Sequence, residues 1–490
     1  MKHKIWSLLL LIVLVACAPV VPAEPLKTGV PSPAKETPTP PETAQPSSTP
    51  ITTVAERPAI ATPEVEKSAV VTRVTGCSKA AIGGSVLLVS RQDKTLDNSL
   101  TPVDPSTGKP LCGYDPIPVG IDDSHVVSPD RDLLAVVVWR TDDYRDGILH
   151  LIDLDNWQDT ATQVAIDGWV AGMAFSSDGK RLAIILSKQL IMVDVVNGNV
   201  LTKRHFDFSP RLVAFTLDGK SLVVYGSENL VAKDPEALLV DSTDLSTIWE
   251  TAVKGVTDGQ IPLYSTDNSE QYVWNGPAVV YSPKENKLFI VHADSDTLTT
   301  VNFTEQDLTS VDIHQPLSWL EQLFALTAGV AHAKVLDGTM KSAVLSPDGQ
   351  TLYVTGQTND SWTDENGEMQ FRQTPLGLQV IDTTSGLETA HLETEATELA
   401  ISQDGSQVYL RGWFDNTAWT DVVNAADLQV IHHLAGRYLI PAATLNGAPV
   451  LLSGVYQQTN SRTALAVVDP ESFKDIVVWS AKSAYWLEWK

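Results

Sequence analysis

Positive charge is scarce in this chain of 490 residues, because 34 Lys and Arg residues oppose 60 Asp and Glu residues and the formal net charge is −26. Such a surface repels the phosphates of nucleic acid, so nucleic acid is not expected as a partner. The chain also lacks a Gly-x-Ser-x-Gly nucleophile elbow, a His-Glu-x-x-His zinc motif and a phosphate-binding loop, and its 10 histidines are scattered. We therefore predict no catalytic residue, no metal site and no cofactor. Apolar material is not lacking, since 43% of the residues are hydrophobic, which is enough for a large core.

The apolar run near the N-terminus is short. Lys2 and Lys4 precede the apolar residues 5–16, a stretch too short to span a bilayer comfortably but typical of a secretory signal. The tetrapeptide Leu14-Val-Ala-Cys17 resembles the lipobox of bacterial lipoproteins, in which the cysteine receives a diacylglyceryl group and the chain is cut just before it. The resemblance implies a signal peptide at 1–16 and a membrane anchor on Cys17, on the exported face at the cell surface or in the periplasm. An uncleaved anchor, or an ordinary signal peptide with a chance cysteine, is the alternative.

Cysteine is rare, with only three in the chain, so Cys77 and Cys112 are the two that remain after Cys17. In an exported protein we expect them to form one disulfide, two buried free thiols being the alternative. Residues 17–75 are rich in Pro and Thr and have no apolar periodicity, which predicts a disordered tether. The folded region is then predicted at 76–490.

One turn followed by a short apolar strand recurs along the folded region. Its fullest copy is Ser346-Pro-Asp-Gly-Gln-Thr-Leu-Tyr-Val-Thr-Gly356. Related copies begin at Ser128, Ser176, Thr216, Ser282, Ser402 and Thr444. The aspartates of these turns are predicted to be structural, because Asp in a turn bonds its own backbone.

A second marker follows each copy, a strand that ends in Val or Ile and then Asp or Asn. It occurs at Val103-Asp104, Ile152-Asp153, Val193-Asp194, Val240-Asp241, Val301-Asn302, Ile381-Asp382, Val423-Asn424 and Val468-Asp469. The repeating unit is therefore four strands, which predicts an all-β fold of four-stranded antiparallel blades, a β-propeller. The segments 346–356 and 377–386 resemble the YVTN-type, WD40-like propeller repeat, a repeat that many functions share.

Blade number and closure follow from the first unit, which has no inner strand ahead of Ser85-Val-Leu-Leu-Val-Ser90. The chain ends in the strand-like segment Tyr485-Trp-Leu-Glu-Trp489. We predict that this C-terminal strand completes the first blade and closes the ring. Counting units gives eight blades, with seven as the alternative.

Each long insertion either joins the second and third strands of a unit or joins one unit to the next. In an up-and-down sheet both kinds of loop have the same parity, meaning that they emerge at the same end of the strands. The insertions are therefore predicted to lie on one face of the ring. They span 140–147, 227–236, 254–275, 314–339, 357–377, 413–420 and 455–462, and are expected to be irregular. Aromatic residues in or beside them are candidates for binding a protein partner or a small-molecule ligand. These candidates are Trp139, Tyr144, Tyr272, Trp274, Trp362, Trp413 and Trp419. The alternative is that the rings only pack the loops onto the ring.

Two further readings of the insertions are weaker. Asp364 to Glu368 has oxygen ligands suited to calcium, but Trp362 breaks the alternate spacing, so no metal is predicted. Residues 317–326 have apolar residues at helical spacing, which predicts a short packed helix. Some proteins with similar repeats are lactonases, so the resemblance leaves a lactonase-like hydrolase as the alternative to a non-catalytic binding scaffold.

Overall fold

In a computed structural model of the chain, the described residues belong to one compact unit, Ile51–Lys490. They are 52–53, 76–79, 87–92, 98–104, 106–119, 124–139, 147–159, 164–228, 234–264, 270–314, 338–363, 369–414, 417–445, 448–457, 461–480 and 484–488. Their regular structure is all β, and none of these residues belongs to a helix. A search of the described ranges accordingly finds no helix that could cross a membrane. Residues 1–16, Cys17 and the predicted helix at 317–326 lie outside these ranges.

The strands are short, as expected for blades. The first half of the chain contains β1 (Thr52–Thr53), β2 (Leu87–Gln92), β3 (Asn98–Asp104), β4 (Lys109–Pro110), β5 (Ile117–Val119), β6 (Ser124–Val127), β7 (Leu133–Trp139), β8 (Gly147–Asp153), β9 (Gln158–Asp159), β10 (Val164–Ile166), β11 (Val170–Phe175), β12 (Arg181–Leu186), β13 (Gln189–Asp194), β14 (Val200–His205), β15 (Ser209–Phe215), β16 (Ser221–Ser227), β17 (Glu236–Asp241) and β18 (Thr247–Ala252). The second half contains β19 (Gly259–Tyr264), β20 (Glu270–Asn275), β21 (Ala278–Ser282), β22 (Lys287–Val291), β23 (Thr297–Asn302), β24 (Asp307–Asp312), β25 (Gly338–Leu345), β26 (Thr351–Thr363), β27 (Met369–Pro375), β28 (Leu378–Asp382), β29 (Glu388–Leu392), β30 (Glu398–Ile401), β31 (Gln407–Phe414), β32 (Thr417–Asn424), β33 (Val430–Ala435), β34 (Arg437–Leu445), β35 (Ala448–Gln457), β36 (Ser461–Val468), β37 (Asp475–Ser480) and β38 (Ala484–Glu488).

Eight sheets of four to six strands follow one another through the described residues, and a ninth is a two-stranded ribbon of β19 and β20. We number the eight in chain order. Sheet 1 contains β2 to β5 with β38, sheet 2 β6 to β10, sheet 3 β11 to β14, sheet 4 β15 to β18, sheet 5 β21 to β24, sheet 6 β25 to β29 with β1, sheet 7 β30 to β33, and sheet 8 β34 to β37. The first strands of consecutive sheets lie side by side, as β6 does with β11 and β11 with β15. This is the arrangement of propeller blades around an axis.

Each sheet is covered on both faces, which explains why its middle strands are apolar throughout. In β12, Leu182 and Ile184 pack towards sheet 2, while Ala183 and Ile185 pack towards sheet 4. Equivalent clusters of buried residues join every consecutive pair from sheets 1 and 2 to sheets 7 and 8. Each fully buried aliphatic side chain contributes about 1.5–3 kcal/mol, so the packing between sheets dominates the stability.

The C-terminal strand β38 and the early strand β2 meet in sheet 1. Strand β38 pairs antiparallel with β2, with Glu488 opposite Leu87 and Ala484 opposite Arg91. This is the neighbour that the sequence predicts for the C-terminal strand. At the outer edge of sheet 6, β1 pairs in parallel with β29.

A disulfide joins Cys77 to Cys112, as predicted. It fastens the segment 76–79 to the outer side of sheet 1, where Ser78 N–H donates to Pro110 O at 2.8 Å and Cys112 N–H donates to Ser78 O at 2.8 Å. The Ser78 hydroxyl also donates to Asp104 at 2.7 Å. The start of the folded region is therefore held by both covalent and hydrogen bonds.

Candidate binding face

Hydrogen bonds between the described turns define two faces of the sheets. The turn after the first strand of a sheet is bonded to the turn after its third strand, as in Val195 N–H to Lys180 O at 2.9 Å and Ser242 N–H to Lys220 O at 3.0 Å. We call this side the turn face. At the other end, the loop after the second strand is bonded to the connection leading to the next sheet, as in Val253 N–H to Pro235 O at 2.8 Å. We call that side the loop face, and the parity deduced from the repeat is confirmed.

The turn face is built from one repeated hydrogen-bond pattern. In sheet 3 the Ser176 hydroxyl donates to Asp178 at 2.6 Å and accepts from Arg181 N–H at 3.0 Å, and Asp178 accepts from Lys180 N–H at 3.1 Å. Thr216 and Asp218 make the same contacts in sheet 4. The hydroxyl bond lowers the pKa of each turn aspartate below its ordinary value, as it does for Asp178, Asp218, Asp348 and Asp404. These aspartates are structural, as the sequence predicts.

A cavity of about 670 Å³ on the turn face is lined by residues of sheets 7 and 8 and by Arg131 of sheet 2. Several of its polar side chains are engaged locally, since the Ser402 hydroxyl donates to Asp404 at 2.6 Å and the Tyr409 hydroxyl donates to Gln407 at 2.7 Å. Glu471 also lines the cavity, and its N–H donates to Asp469 at 3.2 Å. We do not place the binding site there.

Regular hairpins rise from the loop face, where the sequence analysis expected irregular loops. Strand β26 runs through sheet 6 and continues to Thr363, paired with β27 from Gln357 opposite Pro375 to Thr363 opposite Met369. In sheet 7, β31 and β32 pair as far as Phe414 opposite Thr417. The ribbon β19–β20 and the long pair β35–β36 are further examples. The expectation of irregular structure was wrong in these four places, because the strands stay paired beyond the sheet.

Two of the seven aromatic candidates belong to the core. Trp139 is 3% exposed and Trp419 is 5% exposed. Each lies directly opposite a glycine, Gly147 and Gly412 respectively, in its strand pair. A Cβ at Gly412 would lie 2.6 Å from Cζ2 of Trp419, and one at Gly147 would lie 2.7 Å from Cζ3 of Trp139. The glycines leave room for the rings, so we no longer count these two tryptophans among the binding candidates.

Two other candidates are exposed on the loop face. Trp274, at the end of β20, is 36% exposed, and Trp413, in the hairpin of sheet 7, is 45% exposed. Tyr272 and Trp362 lie in β20 and β26. Tyr144 lies outside the described residues.

The sequence analysis missed Trp169, which is the most exposed of these tryptophans at 52%. It lies in the short connection Asp167-Gly168-Trp169 between sheets 2 and 3, also on the loop face. The search considered long insertions only, so a three-residue connection of the same parity was passed over.

Trp274 is held in place by a cluster centred on Arg211. Arg211 is the extra residue of a β-bulge between Pro210 and Leu212 in the first strand of sheet 4, and a bulge re-aims its side chain. The guanidinium lies over the indole of Trp274, 5.0 Å from its centroid, and pairs with Asp258. Asp258 is buried and also accepts from the Tyr225 hydroxyl at 3.2 Å. Burial raises the pKa of Tyr225, so this hydroxyl stays protonated.

A second charged cluster continues from the first through the neighbouring residue Thr257. The Thr257 hydroxyl donates to Asp294 at 2.6 Å, and the Lys341 ammonium donates to Ser295 O at 3.2 Å. Burial lowers the pKa of Lys341, and the carboxylates of Asp296 and Asp294 oppose that shift. Burial likewise lowers the pKa of His292, which contacts Thr299 at 2.8 Å. These groups fix the base of the loop face between sheets 4, 5 and 6.

A similar cation and aromatic ring meet between sheets 7 and 8. The Arg411 guanidinium lies 4.5 Å from the ring centroid of Tyr438, whose hydroxyl bonds Glu398. Arg411 also donates to Leu399 O at 3.1 Å. Among the described residues, no group of three or more His, Cys, Asp or Glu side chains is arranged to hold a metal ion.

No protein-family model and no curated protein matches the chain. Solved structures do match. Dihydro-heme d1 dehydrogenase NirN in complex with DHE is similar over 84% of this chain and 76% of that one, with 13% identity and a TM-score of 0.53. BamB from Moraxella catarrhalis is similar over 73% and 88%, with 13% identity and a TM-score of 0.44. The β-propeller domain of Myceliophteria thermophila Cps50 (Swd1) is similar over 73% and 96%, with 13% identity and a TM-score of 0.37.

Likeness at this level of identity concerns the fold alone. With the eight sheets described above, it makes this chain a β-propeller protein. Function must be argued from its own surface.

Proposed function

We propose that this β-propeller is an exported, lipid-anchored scaffold that binds a protein partner on its loop face. Export and anchoring rest on the N-terminal pattern and on Cys17. Binding rests on one observation, that Trp169, Trp274 and Trp413 are exposed on the same face. Exposed tryptophan on a rigid scaffold is the commonest anchor of a protein interface.

The inner strands support binding rather than catalysis. Their ionisable groups are engaged with other side chains or with backbone, as in Arg211 with Asp258, Lys341 with Ser295 O, and Arg437 with Asp475. A hydrolase would need an acid, a base and a substrate-binding group that converge on a shared space. The pairs described here instead tie neighbouring strands together.

The charge of the loop face indicates the kind of partner. Its described acidic residues outnumber its basic ones, Lys188, Arg211, Lys254, Lys341 and Arg372. The acidic residues are Asp167, Asp207, Glu228, Asp234, Asp258, Asp294, Asp296, Glu393 and Glu395. Complementary charge speeds encounter and selects partners, so we propose a partner with a basic docking surface.

The test compares two sets of alanine variants of the chain as bait in native membranes. One removes the loop-face anchors, Trp169→Ala, Trp274→Ala and Trp413→Ala together. The other removes exposed apolar residues of the turn face, Val196→Ala and Leu217→Ala. We expect the unaltered chain and the turn-face variant to capture the same partner and the tryptophan variant to lose it. Capture should also weaken in salt of about 0.5 M, because exposed charges are then screened.

Unchanged capture by the folded tryptophan variant would contradict the assignment of the loop face. A thermal unfolding curve for each variant separates loss of binding from loss of fold. Hydrolysis of sugar-acid lactones by the purified chain tests the enzymatic alternative, and an observed turnover would overturn the scaffold proposal.

A further inference from the structure

Five ionisable side chains form a continuous line from sheet 5 to sheet 6. Glu388, at the start of β29, is 5% exposed, and each of its carboxylate oxygens meets an imidazole. His314 Nδ1 lies 3.1 Å from Glu388 Oε2, and His391 Nδ1 lies 3.0 Å from Glu388 Oε1. The outer nitrogens face further carboxylates, His314 Nε2 at 3.2 Å from Asp296 and His391 Nε2 at 3.5 Å from Glu393. Carboxylate and imidazole thus alternate along five groups that are joined by four contacts.

The protonation state of the rings decides whether these contacts attract. A neutral imidazole has one N–H and one lone pair, so a ring with carboxylates at both nitrogens can donate to only one of them. Its other nitrogen then directs a lone pair at a carboxylate oxygen, which also carries only lone pairs, so this contact is repulsive. The imidazolium donates at both nitrogens and satisfies both contacts. His391, which bonds Glu388 at 3.0 Å and has Glu393 at its other nitrogen, is therefore favoured in its charged form by this geometry.

The surroundings add no opposing cation next to His391. Its cross-strand partners are the neutral residues Gln379 in β28 and Thr53 in β1. On the His314 side, Asp312 accepts from His314 N–H at 3.0 Å, and Asp294 and Lys341 lie beyond Asp296. The hydrogen bond to Glu388 raises the pKa of His391 above its ordinary value, against the opposing effect of burial.

The same place carries a backbone link between the two sheets. Glu388 N–H donates to Ile313 O at 2.7 Å, and Val311 lies against Gly386. We propose that this line of five side chains is a pH-sensitive clamp that holds sheet 6 against sheet 5 while His391 is protonated. The clamp is independent of the binding function proposed above.

The direction of the pH effect follows from His391. Because its pKa is raised in the folded chain, its protonated ring contributes full stabilisation below the pKa of the unfolded chain, near 6.5. That stabilisation is lost as the pH rises through the higher, folded value. His391 holds the Glu388 carboxylate that His314 contacts from sheet 5, so the junction between sheets 5 and 6 is tighter in mild acid and looser in mild alkali.

Hydrogen exchange of the Glu388 amide measures how often the junction between sheets 5 and 6 opens, because this N–H donates across the junction to Ile313 O. After correction for intrinsic exchange, we expect its protection in the unaltered chain to fall severalfold between pH 5.5 and pH 8. The fall should disappear in His391→Gln. It should persist in His432→Gln, which serves as the control. His432 lies in β33, the last strand of sheet 7, and its ring lies against Phe473.

Two outcomes would overturn the clamp. One is protection of the Glu388 amide that does not depend on pH in the unaltered chain. The other is a pH dependence that remains in His391→Gln or is equally lost in His432→Gln. Titration of His391 by NMR provides a second measurement, which needs no destabilising variant. The clamp requires titration above the ordinary value, and titration at or below that value contradicts it.

Discussion

The Ser176 hydroxyl makes two hydrogen bonds in a turn that recurs along the chain. It donates to Asp178 and accepts from the Arg181 N–H, and it is fully buried. Ser176→Ala leaves that N–H without its partner in a closed turn. We expect the free energy of unfolding to fall by about 1–2 kcal/mol, the cost of an unmet buried hydrogen bond, measured by urea denaturation.

Sheet 4 provides the matched control for this substitution. Thr216 makes the same contacts there as Ser176 makes in sheet 3. Ser176→Thr should therefore keep most of the stability that Ser176→Ala loses. Equal losses in both variants would show that the pocket around the hydroxyl, and not its hydrogen bonds, determines the cost.

The role of a single residue was predicted well where a local sequence motif determines it. It was predicted poorly where it depends on which residue lies opposite in the paired strand. The role of Asp178 follows from its neighbours two residues on either side, so the sequence was enough. The burial of Trp139 and Trp419 depends on the glycine opposite each ring, which is known only once the strands are paired. Trp169 was missed for the related reason that its exposure depends on how sheets 2 and 3 meet.

The hairpin formed by the distal part of β26 and by β27 is an addition to sheet 6 rather than part of its core. Leu376 N–H donates to Gly356 O at 2.9 Å, so the base of the sheet is closed below the hairpin. Sheet 3 shows the minimum connection at this position, because only Ser187 and Lys188 separate β12 from β13.

Replacing residues 360–372 with Ser-Lys, which keeps residues 357–359 paired with β25, should therefore leave the propeller folded. We expect the midpoint of thermal unfolding to change by no more than roughly 4 °C, equivalent to about 1 kcal/mol in a large domain. Capture of the partner on the loop face should decrease if this hairpin contributes to binding. Unfolding of the variant would show that the hairpin is part of the core after all.

The four-strand units were predictable because each has two fixed markers, an Asp-Gly type turn and a strand ending in Val-Asp or its equivalents. The hairpins were not, since polar strands with only one covered face have no continuous apolar pattern. Met369-Gln-Phe-Arg-Gln-Thr-Pro375 alternates in polarity, but its length within a long insertion resembled a loop. Parity still located all these segments on one face, so the position of the candidate surface was predicted while its structure was not.

Sheet 1 depends on its pairing with β38, the last strand described. Seven interfaces between consecutive sheets are packed by apolar clusters, whereas sheet 1 obtains its first strand from β38, almost 400 residues further along the chain. Without β38, the edge of β2 that now pairs from Leu87 to Arg91 would be open. An open edge weakens its own sheet and exposes a template for association with other chains.

Deleting residues 484–490 should therefore lower the midpoint of thermal unfolding by more than roughly 4 °C, since about 1 kcal/mol corresponds to 2–4 °C in a large domain. It should also promote association, measured by light scattering. Deleting only Trp489 and Lys490 is the matched control, because it leaves all five residues of β38 in place. We expect that shorter chain to unfold like the unaltered one. Equal unfolding midpoints for both deletions would mean that β38 does not close the ring, and the eight-bladed closure that we propose would then have to be abandoned.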